Sequence, residues 1–218
     1  MSGYEKKIGR FHVITDTSMQ DRFSHEELAE RAIAGGADTI QFRQKTGTTR
    51  DLIEIASRMV AVCRRAGIPL IVNDRVDVAV AAEADGVHVG QEDLPVALAR
   101  RMIGEGRTVG ATAKTPEAIR LAAEDGADYF GYGPVFATGS KGDAGEVKGL
   151  DGVREIIRAM DADLPIPLIA IGGIQAATAA DVIGAGAHGV AVISAVCGKE
   201  DPAAAAGEFA ERVRMAAA

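Results

Sequence analysis

Three polar side chains, Gln41, Arg43 and Lys45, alternate with other residues at the end of a short apolar run. In an extended strand, alternate residues project from the same face, so the amide and the two cations converge on one side. An arginine can bind two phosphate oxygens at once, and a lysine adds a point charge. The spacing favours an anion-binding site over two cations that only face solvent at a strand end.

Two carboxylates, Asp74 and Asp93, follow the next two apolar runs of the chain. Oxygen ligands of this kind suit Mg²⁺, which proteins commonly bind through one or two carboxylates together with substrate phosphates. Each carboxylate alone would more often cap a helix or face solvent, and Asp93 stands just before a Leu-Pro pair, as a cap would. Their placement beside Arg43 and Lys45 favours a magnesium site.

Small residues close the last two apolar runs, as Gly172 and Gly173 after the first and Ile193 and Ser194 after the second. In barrels of alternating strands and helices, the two corresponding loops often bind phosphate through backbone N–H groups. A glycine pair alone is typical of any tight turn. It is the position of this pair that favours a phosphate site.

These groups need a scaffold that brings the ends of successive strands together. Short β-branched runs bounded by Gly, Pro or Asp alternate with amphipathic, alanine-rich segments, as buried parallel strands and helices do. The eight predicted strands are residues 10–15, 38–43, 68–74, 86–90, 108–112, 128–133, 166–172 and 189–194. With eight predicted helices and no break in composition, they indicate an α/β fold, a single-domain (β/α)8 TIM barrel over residues 1–218. A doubly wound open sheet is the alternative.

One connection, residues 133–149, is long and has little helical periodicity. A loop of this length inside a compact domain is usually a functional lid or a mobile segment. We therefore expect an active-site loop here.

The composition excludes several classes of protein. With 31 acidic and 24 basic residues, the net charge of -7 argues against a nucleic-acid or membrane-surface binder. The two cysteines, Cys63 and Cys197, have no metal-binding spacing and are expected to be reduced. Without a long apolar span or a signal peptide, we expect a cytoplasmic protein.

Other candidate groups carry less weight. His12 and His188 are expected to pack or to face solvent without a role, whereas His88, which alternates with two valines on a strand, is either a satisfied core histidine or a catalytic one. The sequence contains no Rossmann fingerprint, Walker motif or Ser-His-Asp set. Electrostatic catalysis by cations and a metal ion is therefore the expected chemistry.

The chain resembles the thiamine phosphate synthase family in segments spread from about residue 10 to residue 200. These segments are residues 41–45, 73–75, 84–93, 126–136, 170–174 and 189–195, and the run GVHVGQED at 86–93 is quite specific. The resemblance implies a (β/α)8 barrel that uses Mg²⁺ and small phosphorylated substrates. It would condense hydroxymethylpyrimidine pyrophosphate with hydroxyethylthiazole phosphate, giving thiamine phosphate and pyrophosphate.

The resemblance also implies roles for individual residues. Those that would hold the pyrophosphate are Gln41, Arg43, Lys45 and Asn73, while Asp74 and Asp93 would bind Mg²⁺. Those that would close over the pyrophosphate from the long loop are Thr138, Ser140 and the catalytic Lys141. Those that would bind the thiazole phosphate are Gly172, Gly173, Ile193 and Ser194. In this family the bond to pyrophosphate is thought to break first, which requires stabilisation of the leaving group and no protein nucleophile.

Two segments depart from the family pattern. After the fifth strand the family usually has Gly-Val-Ser, a small residue and His, whereas this chain has Gly-Ala-Thr112-Ala-Lys114. Thr112 keeps a hydroxyl that could contact the departing pyrophosphate, and Lys114 replaces the histidine with a fixed charge. In the long loop, Ser140 stands where threonine is typical and preserves the hydrogen-bond donor.

Two other functions are compatible with the pattern. The thiazole tautomerase branch of the same superfamily isomerises the thiazole carboxylate phosphate and is associated with an acid–base histidine at the position of Lys114. The absence of that histidine, with Arg43, Lys45, Asp93 and Lys141 present, favours the synthase. The other is a non-catalytic barrel that binds thiamine phosphate. The sequence carries no prediction of the oligomeric state.

Overall fold

The predicted strands form one closed parallel barrel. The computed structural model of the protein describes residues 8–139, 145–160 and 166–217. The strands are β1 Phe11–Thr15, β2 Thr39–Phe42, β3 Leu70–Asn73, β4 Gly86–Val89, β5 Thr108–Thr112, β6 Tyr129–Tyr132, β7 Leu168–Ile171 and β8 Gly189–Val192. Each strand pairs with the next in sequence, and β8 pairs back onto β1. This closure confirms the (β/α)8 barrel and rules out an open sheet.

Helices connect the strands and cover the outside of the barrel. They are α1 His25–Ala34, α2 Thr49–Ala66, α3 Val76–Ala81, α4 Val96–Ile103, α5 Pro116–Glu124, α6 Gly149–Ala159, α7 Ala176–Gly184, α8 Ser194–Cys197 and α9 Pro202–Ala216. The expectation of eight helices is wrong for the described part of the chain, which has one more. The extra helix is α8, a single turn of small and apolar residues between β8 and Gly198, and its Ala195, Val196 and Cys197 are buried.

Local sequence signals set where several helices begin and end. Ser24 and Thr48 start α1 and α2 with reciprocal capping boxes, each closed by an acidic residue three positions later. Thr115 and Asp201 cap α5 and α9, each directly followed by a proline in the first turn. Gly67 ends α2 in the left-handed conformation at φ 69°.

The core has two parts because each strand projects side chains alternately inward and outward. The larger part fills the space between the strands and the helices. The smaller part lies inside the barrel and consists of Ile14, Tyr129, Ile169, Ala191 and Ile193. This inner cluster lies inside the barrel, below the polar groups of the strand ends. In the described residues, no helix has both the length and the apolar character needed to cross a membrane.

Candidate active site

A cavity of about 390 Å³ opens at the carboxyl ends of the strands. The predicted site residues that line it are Gln41, Arg43, Lys45, Asn73, Asp74, Asp93, Thr112, Thr138, Gly172, Gly173, Ile193 and Ser194. Ser140 and Lys141 lie outside the described residues. The predicted closure of the 133–149 loop over the site therefore stays a prediction.

The cavity has two chemically different sides. Side chains with charges or hydrogen-bonding groups follow β2, β3, β4 and β5, whereas the ends of β7 and β8 present Gly172, Gly173, Ile193 and Ser194. Because the strands are arranged around the barrel in sequence order, these two groups face each other across the opening. One cavity can therefore hold two anionic groups on opposite walls.

Arg43 is held by an acidic residue that the sequence analysis missed. Its Nη1 atom donates a hydrogen bond to Oδ2 of Asp16, and the other oxygen of Asp16 accepts from the N–H of Ser18 at 2.9 Å and from its hydroxyl at 2.6 Å. The Nε atom of Arg43 is buried and makes no hydrogen bond to any residue that the structure describes. The available sequence signal was a carboxylate directly after β1, at the same level as the other strand-end groups.

Lys45, Asp74 and Asp93 form a second cluster of charges. The Lys45 ammonium lies 2.5 Å from Oδ2 of Asp74, and the side chains of Asp74 and Asp93 are hydrogen-bonded to each other. Asp93 also accepts from the Gly90 N–H at 2.7 Å. Partial burial and the neighbouring Asp74 raise the pKa of the Asp93 carboxyl above its ordinary value. Two carboxylates this close are stabilised by a cation between or beside them.

The structure excludes the alternative that Asp93 caps a helix. Helix α4 begins after Pro95, and no side chain caps its first turn. The Asp93 carboxylate turns back to Gly90 and Asp74 instead. Both predicted metal ligands therefore face the cavity. The described residues contain no group of three or more His, Cys, Asp or Glu side chains arranged for a metal ion, so the candidate site rests on these two carboxylates.

The glycine pair after β7 is required by the close approach of the 133–139 segment. Gly172 and Gly173 have φ of 100° and 65°, which are left-handed conformations that other residues rarely adopt. A Cβ atom on Gly173 would lie 2.5 Å from the carbonyl oxygen of Ala137. Phe136 donates its N–H to the carbonyl of Gly172 at 2.9 Å. The start of the long loop thus packs on the rim of the predicted phosphate site, and Thr138 reaches the cavity.

The histidines behave differently from one another. His88 points into the barrel, where it hydrogen-bonds Thr112 at 3.0 Å and Tyr129 at 3.1 Å. His12 also lines the cavity from below, and complete burial lowers its pKa to about 4. His188 lies outside the cavity and hydrogen-bonds the carbonyl of Ile8. Of these three histidines, His88 is the one that hydrogen-bonds a predicted site residue within the described part of the chain.

Lys114 lines the same cavity, two residues after Thr112 on the β5 side. Arg43 and Lys45 are both paired with carboxylates, whereas Lys114 forms no ion pair with any residue in the described ranges. The sequence alone leaves open whether this lysine lies near an anionic substrate or points elsewhere. Its charge faces the space that a bound anion would occupy.

Neither cysteine is placed for nucleophilic chemistry. Cys63 and Cys197 are free thiols, and both are buried. Burial raises the pKa of each thiol to about 12, so neither forms an appreciable amount of thiolate near neutral pH. The groups available for chemistry at the site are therefore cations, carboxylates and hydrogen-bond donors.

Comparison with known proteins agrees with this geometry. The family model described as thiamine monophosphate synthase matches residues 11–196, which span all eight strands of the barrel. The chain belongs to the thiamine monophosphate synthase family. This confirms the family predicted from the strand-end motifs.

Individual members of the thiamine monophosphate synthase family are similar over nearly the whole chain. The chain is 52% identical to the thiamine-phosphate synthase of Chloroflexus aurantiacus, over 90% of this chain and 89% of that protein. It is 51% identical to the thiamine-phosphate synthase of Methanocella arvoryzae, over 89% and 90%. The solved thiamine phosphate pyrophosphorylase of Pyrococcus furiosus is 39% identical, with a TM-score of 0.84 and coverage of 95% and 96%. The prediction of a transferase of this family is confirmed.

Proposed function

We propose that the protein condenses hydroxymethylpyrimidine pyrophosphate with hydroxyethylthiazole phosphate, and releases thiamine phosphate and pyrophosphate. The observation that carries this proposal is the two-sided cavity. Cations and carboxylates follow β2 to β5, and a glycine-rich rim follows β7 and β8, so one opening provides for two phosphorylated substrates. Its volume of about 390 Å³ is within the range of small-molecule sites.

The cationic side would hold the pyrophosphate that leaves. In the reaction, the bond between the pyrimidine methylene carbon and the pyrophosphate oxygen breaks, and its electron pair stays on the pyrophosphate. Arg43, Lys45 and Lys114 would stabilise the negative charge that develops there, and the Thr112 hydroxyl would donate a hydrogen bond to it. Gln41 and Asn73 would orient the same substrate from β2 and β3.

The glycine-rich side would hold the thiazole phosphate. The backbone of Gly172, Gly173 and Ile193 and the hydroxyl of Ser194 supply small groups and hydrogen-bond donors at the ends of β7 and β8. The thiazole nitrogen would then attack the pyrimidine methylene cation from this side and form the new carbon–nitrogen bond. Thr138, with Ser140 and Lys141 beyond it, would close over the pyrophosphate.

Asp74 and Asp93 fit the requirements of Mg²⁺. Their carboxyl groups lie within hydrogen-bonding reach of each other, and burial together with Asp74 raises the pKa of Asp93, so a bound cation would stabilise the ionised form of both. Mg²⁺ typically uses one or two carboxylates and completes its shell with water and phosphate oxygens. When bound, the metal would neutralise charge on the pyrophosphate.

Pyrophosphate release tests the proposed function. Purified protein incubated with both substrates and Mg²⁺ should release pyrophosphate and form thiamine phosphate in equal amounts. Omitting the thiazole phosphate should prevent the formation of thiamine phosphate. If no pyrophosphate forms even with enzyme at the substrate concentration, the condensation is excluded. Tight binding of thiamine phosphate under those conditions would then identify a non-catalytic binding barrel.

A further inference from the structure

Four side chains from four strands form a continuous hydrogen-bonded chain across the barrel interior. The Gln41 side chain of β2 contacts the phenol of Tyr129 on β6. The phenol oxygen lies 3.1 Å from Nδ1 of His88 on β4, and Nε2 of His88 lies 3.0 Å from the hydroxyl of Thr112 on β5. Gln41, Tyr129 and His88 are buried. All four residues line the cavity, and Thr112, at the open end of this network, is the one that is half-buried.

The backbone is adapted to this arrangement at two positions. A Cβ atom on Gly110 of β5 would lie 2.2 Å from Cζ of Tyr129, so any side chain there would displace the phenol ring. A Cβ atom on Gly131 of β6 would lie 3.1 Å from Cε1 of His88. The absence of side chains at both places lets the two rings approach each other at 5.5 Å between centroids. The contact between Tyr129 and His88 therefore depends on the absence of a side chain at one position of β5 and at one position of β6.

The donors and acceptors of the four side chains give this hydrogen-bonded network a direction. The contact with Gln41 lowers the pKa of the Tyr129 phenol, opposite to the larger effect of burial, as an amide N–H donor does. When the Gln41 amide nitrogen donates to the phenol oxygen, the phenol hydrogen is available to donate to Nδ1 of His88. An imidazole that accepts at Nδ1 carries its hydrogen on Nε2 and donates it to Thr112.

This arrangement determines the direction in which the Thr112 hydroxyl donates its hydrogen. A hydroxyl has one hydrogen to donate and two lone pairs to accept with. In the tautomer that carries its hydrogen on Nε2, His88 donates to one lone pair of the Thr112 hydroxyl, and the hydroxyl hydrogen points away from His88. On the other side of Thr112 lies the cavity.

We propose that His88, oriented by Tyr129, is a positioning residue that aims the Thr112 hydroxyl at the departing pyrophosphate. The inference rests on the proposed function, in which Thr112 donates to that group. In this arrangement His88 acts through Thr112. Its effect is to present a donor whose direction is set before substrate binds, so that no reorganisation is needed as charge develops.

Two isosteric substitutions separate this role from mere packing. In His88→Gln the amide nitrogen can occupy the place of Nε2 and donate to Thr112, whereas in His88→Asn the shorter amide can only replace Nδ1, next to Tyr129. We expect His88→Asn to lower kcat by about 10- to 100-fold, as loss of an oriented donor to a developing anion does. We expect His88→Gln to recover most of that activity. Equal activity of the two variants would overturn the proposal.

A double-mutant cycle tests whether His88 acts through Thr112. In a Thr112→Val background, which lacks the hydroxyl, His88→Asn should change kcat by less than about 3-fold, since coupled residues do not contribute additively. His12→Gln is the matched control, because His12 is also a buried histidine that lines the cavity but hydrogen-bonds the Gly9 carbonyl. Any effect of His12→Gln should be the same in both backgrounds. A full loss by His88→Asn in the Thr112→Val background would show that His88 acts independently, contrary to the proposal.

The midpoint of thermal unfolding and the release of pyrophosphate by the wild type distinguish failure of the His88 proposal from failure of the proposed function. In one outcome, His88→Asn lowers the midpoint of thermal unfolding by the same amount in the wild-type and Thr112→Val backgrounds, with losses of kcat that add. That result indicates a structural role for His88 and overturns the positioning role. A wild-type protein that releases no pyrophosphate overturns the proposed function itself. An active wild type in which Asn and Gln at position 88 perform alike overturns only the role of His88.

Discussion

The guanidinium of Arg43 and the carboxylate of Asp16 form an ion pair in the wall of the cavity, with only 12% and 4% of their side chains exposed. Asp16 receives two further hydrogen bonds from Ser18, so its position is determined independently of Arg43. The carboxylate thus orients the cation that the substrate pyrophosphate would meet. It also offsets the cost of burying that cation.

Asp16→Asn should weaken both stability and substrate binding. Removing one partner leaves a mostly buried Arg43 uncompensated, which typically costs about 3 kcal/mol or more in the free energy of unfolding. The KM for the pyrimidine pyrophosphate should rise, because Arg43 is no longer held in place. Urea denaturation and steady-state kinetics measure the two effects. The control is Asp77→Asn, which breaks the exposed pair with Arg75 and should cost less than about 1 kcal/mol. Equal costs for both variants would contradict the burial argument.

Removal of divalent cations should abolish turnover, and adding Mg²⁺ should restore it. Asp93→Asn should eliminate the Mg²⁺ dependence and nearly all turnover, since Asp74 alone would remain from the pair of ligands. Titration calorimetry with the thiazole phosphate should give an unchanged affinity, because that phosphate belongs to the β7 and β8 side. A collapse of thiazole phosphate affinity in Asp93→Asn would show that the two sides of the cavity are assigned incorrectly.

Lys114→Met should impair binding of the pyrophosphate substrate. Lys114 lines the cavity beyond β5 and has no carboxylate partner among the described residues, so its charge is available to an anion. We expect the KM for the pyrimidine pyrophosphate to rise about 10-fold, which corresponds to about 1.4 kcal/mol of lost interaction, with the KM for the thiazole phosphate unchanged. Lys114→Arg should retain most of the affinity.

Lys148→Met provides the matched control for Lys114. Lys148 pairs with Glu146 and does not line the cavity, so removing its charge should leave both KM values unchanged. If the two methionine variants have the same KM values, Lys114 contributes only to the overall electrostatic potential of the protein. If Lys114→Met raises the KM for the thiazole phosphate instead, the lysine serves the opposite side of the cavity.

The stability of the protein should decrease as the pH falls from neutral to about 4. Burial lowers the pKa of His12 from 6.5 to about 4, so below pH 6.5 the unfolded chain binds a proton that the native state excludes. The stabilisation by neutral His12 is fully present above pH 6.5 and is lost as the pH falls through the native pKa. The loss amounts to about 3 kcal/mol in total. Burial also lowers the pKa of His25, which adds to the decrease in the same direction.

His12→Gln isolates the contribution of His12. Glutamine can donate to the Gly9 carbonyl, as His12 Nε2 does at 3.1 Å, but it does not titrate. The difference in unfolding free energy between wild type and variant, measured in urea, should shrink by about 2 kcal/mol between pH 7.5 and pH 5. A difference that stays constant over this range would contradict a buried neutral His12.

The order of strands and helices and the level of the polar groups could be predicted from local patterns. Strands that are buried on both faces need continuous apolar runs, and helices need caps and one apolar face, so both are visible in the sequence. Because the carboxyl ends of the strands in a closed barrel meet at one opening, strand-end residues such as Gln41, Asp74 and Thr112 can be grouped from the sequence alone. The glycine pair after β7 could be assigned to the same opening for the same reason.

Which of these groups touch was decided by the tertiary structure. Whether Asp16 meets Arg43, and whether Tyr129 reaches across from β6 to His88 on β4, depends on the stagger between strands that closing the barrel imposes. The alternation along one strand sets only whether a side chain points inward. The height at which two inward side chains meet, and the room left beside them by Gly110, come from the register of the other strands. A contact between distant strands is a property of that register, which no local pattern in the chain specifies.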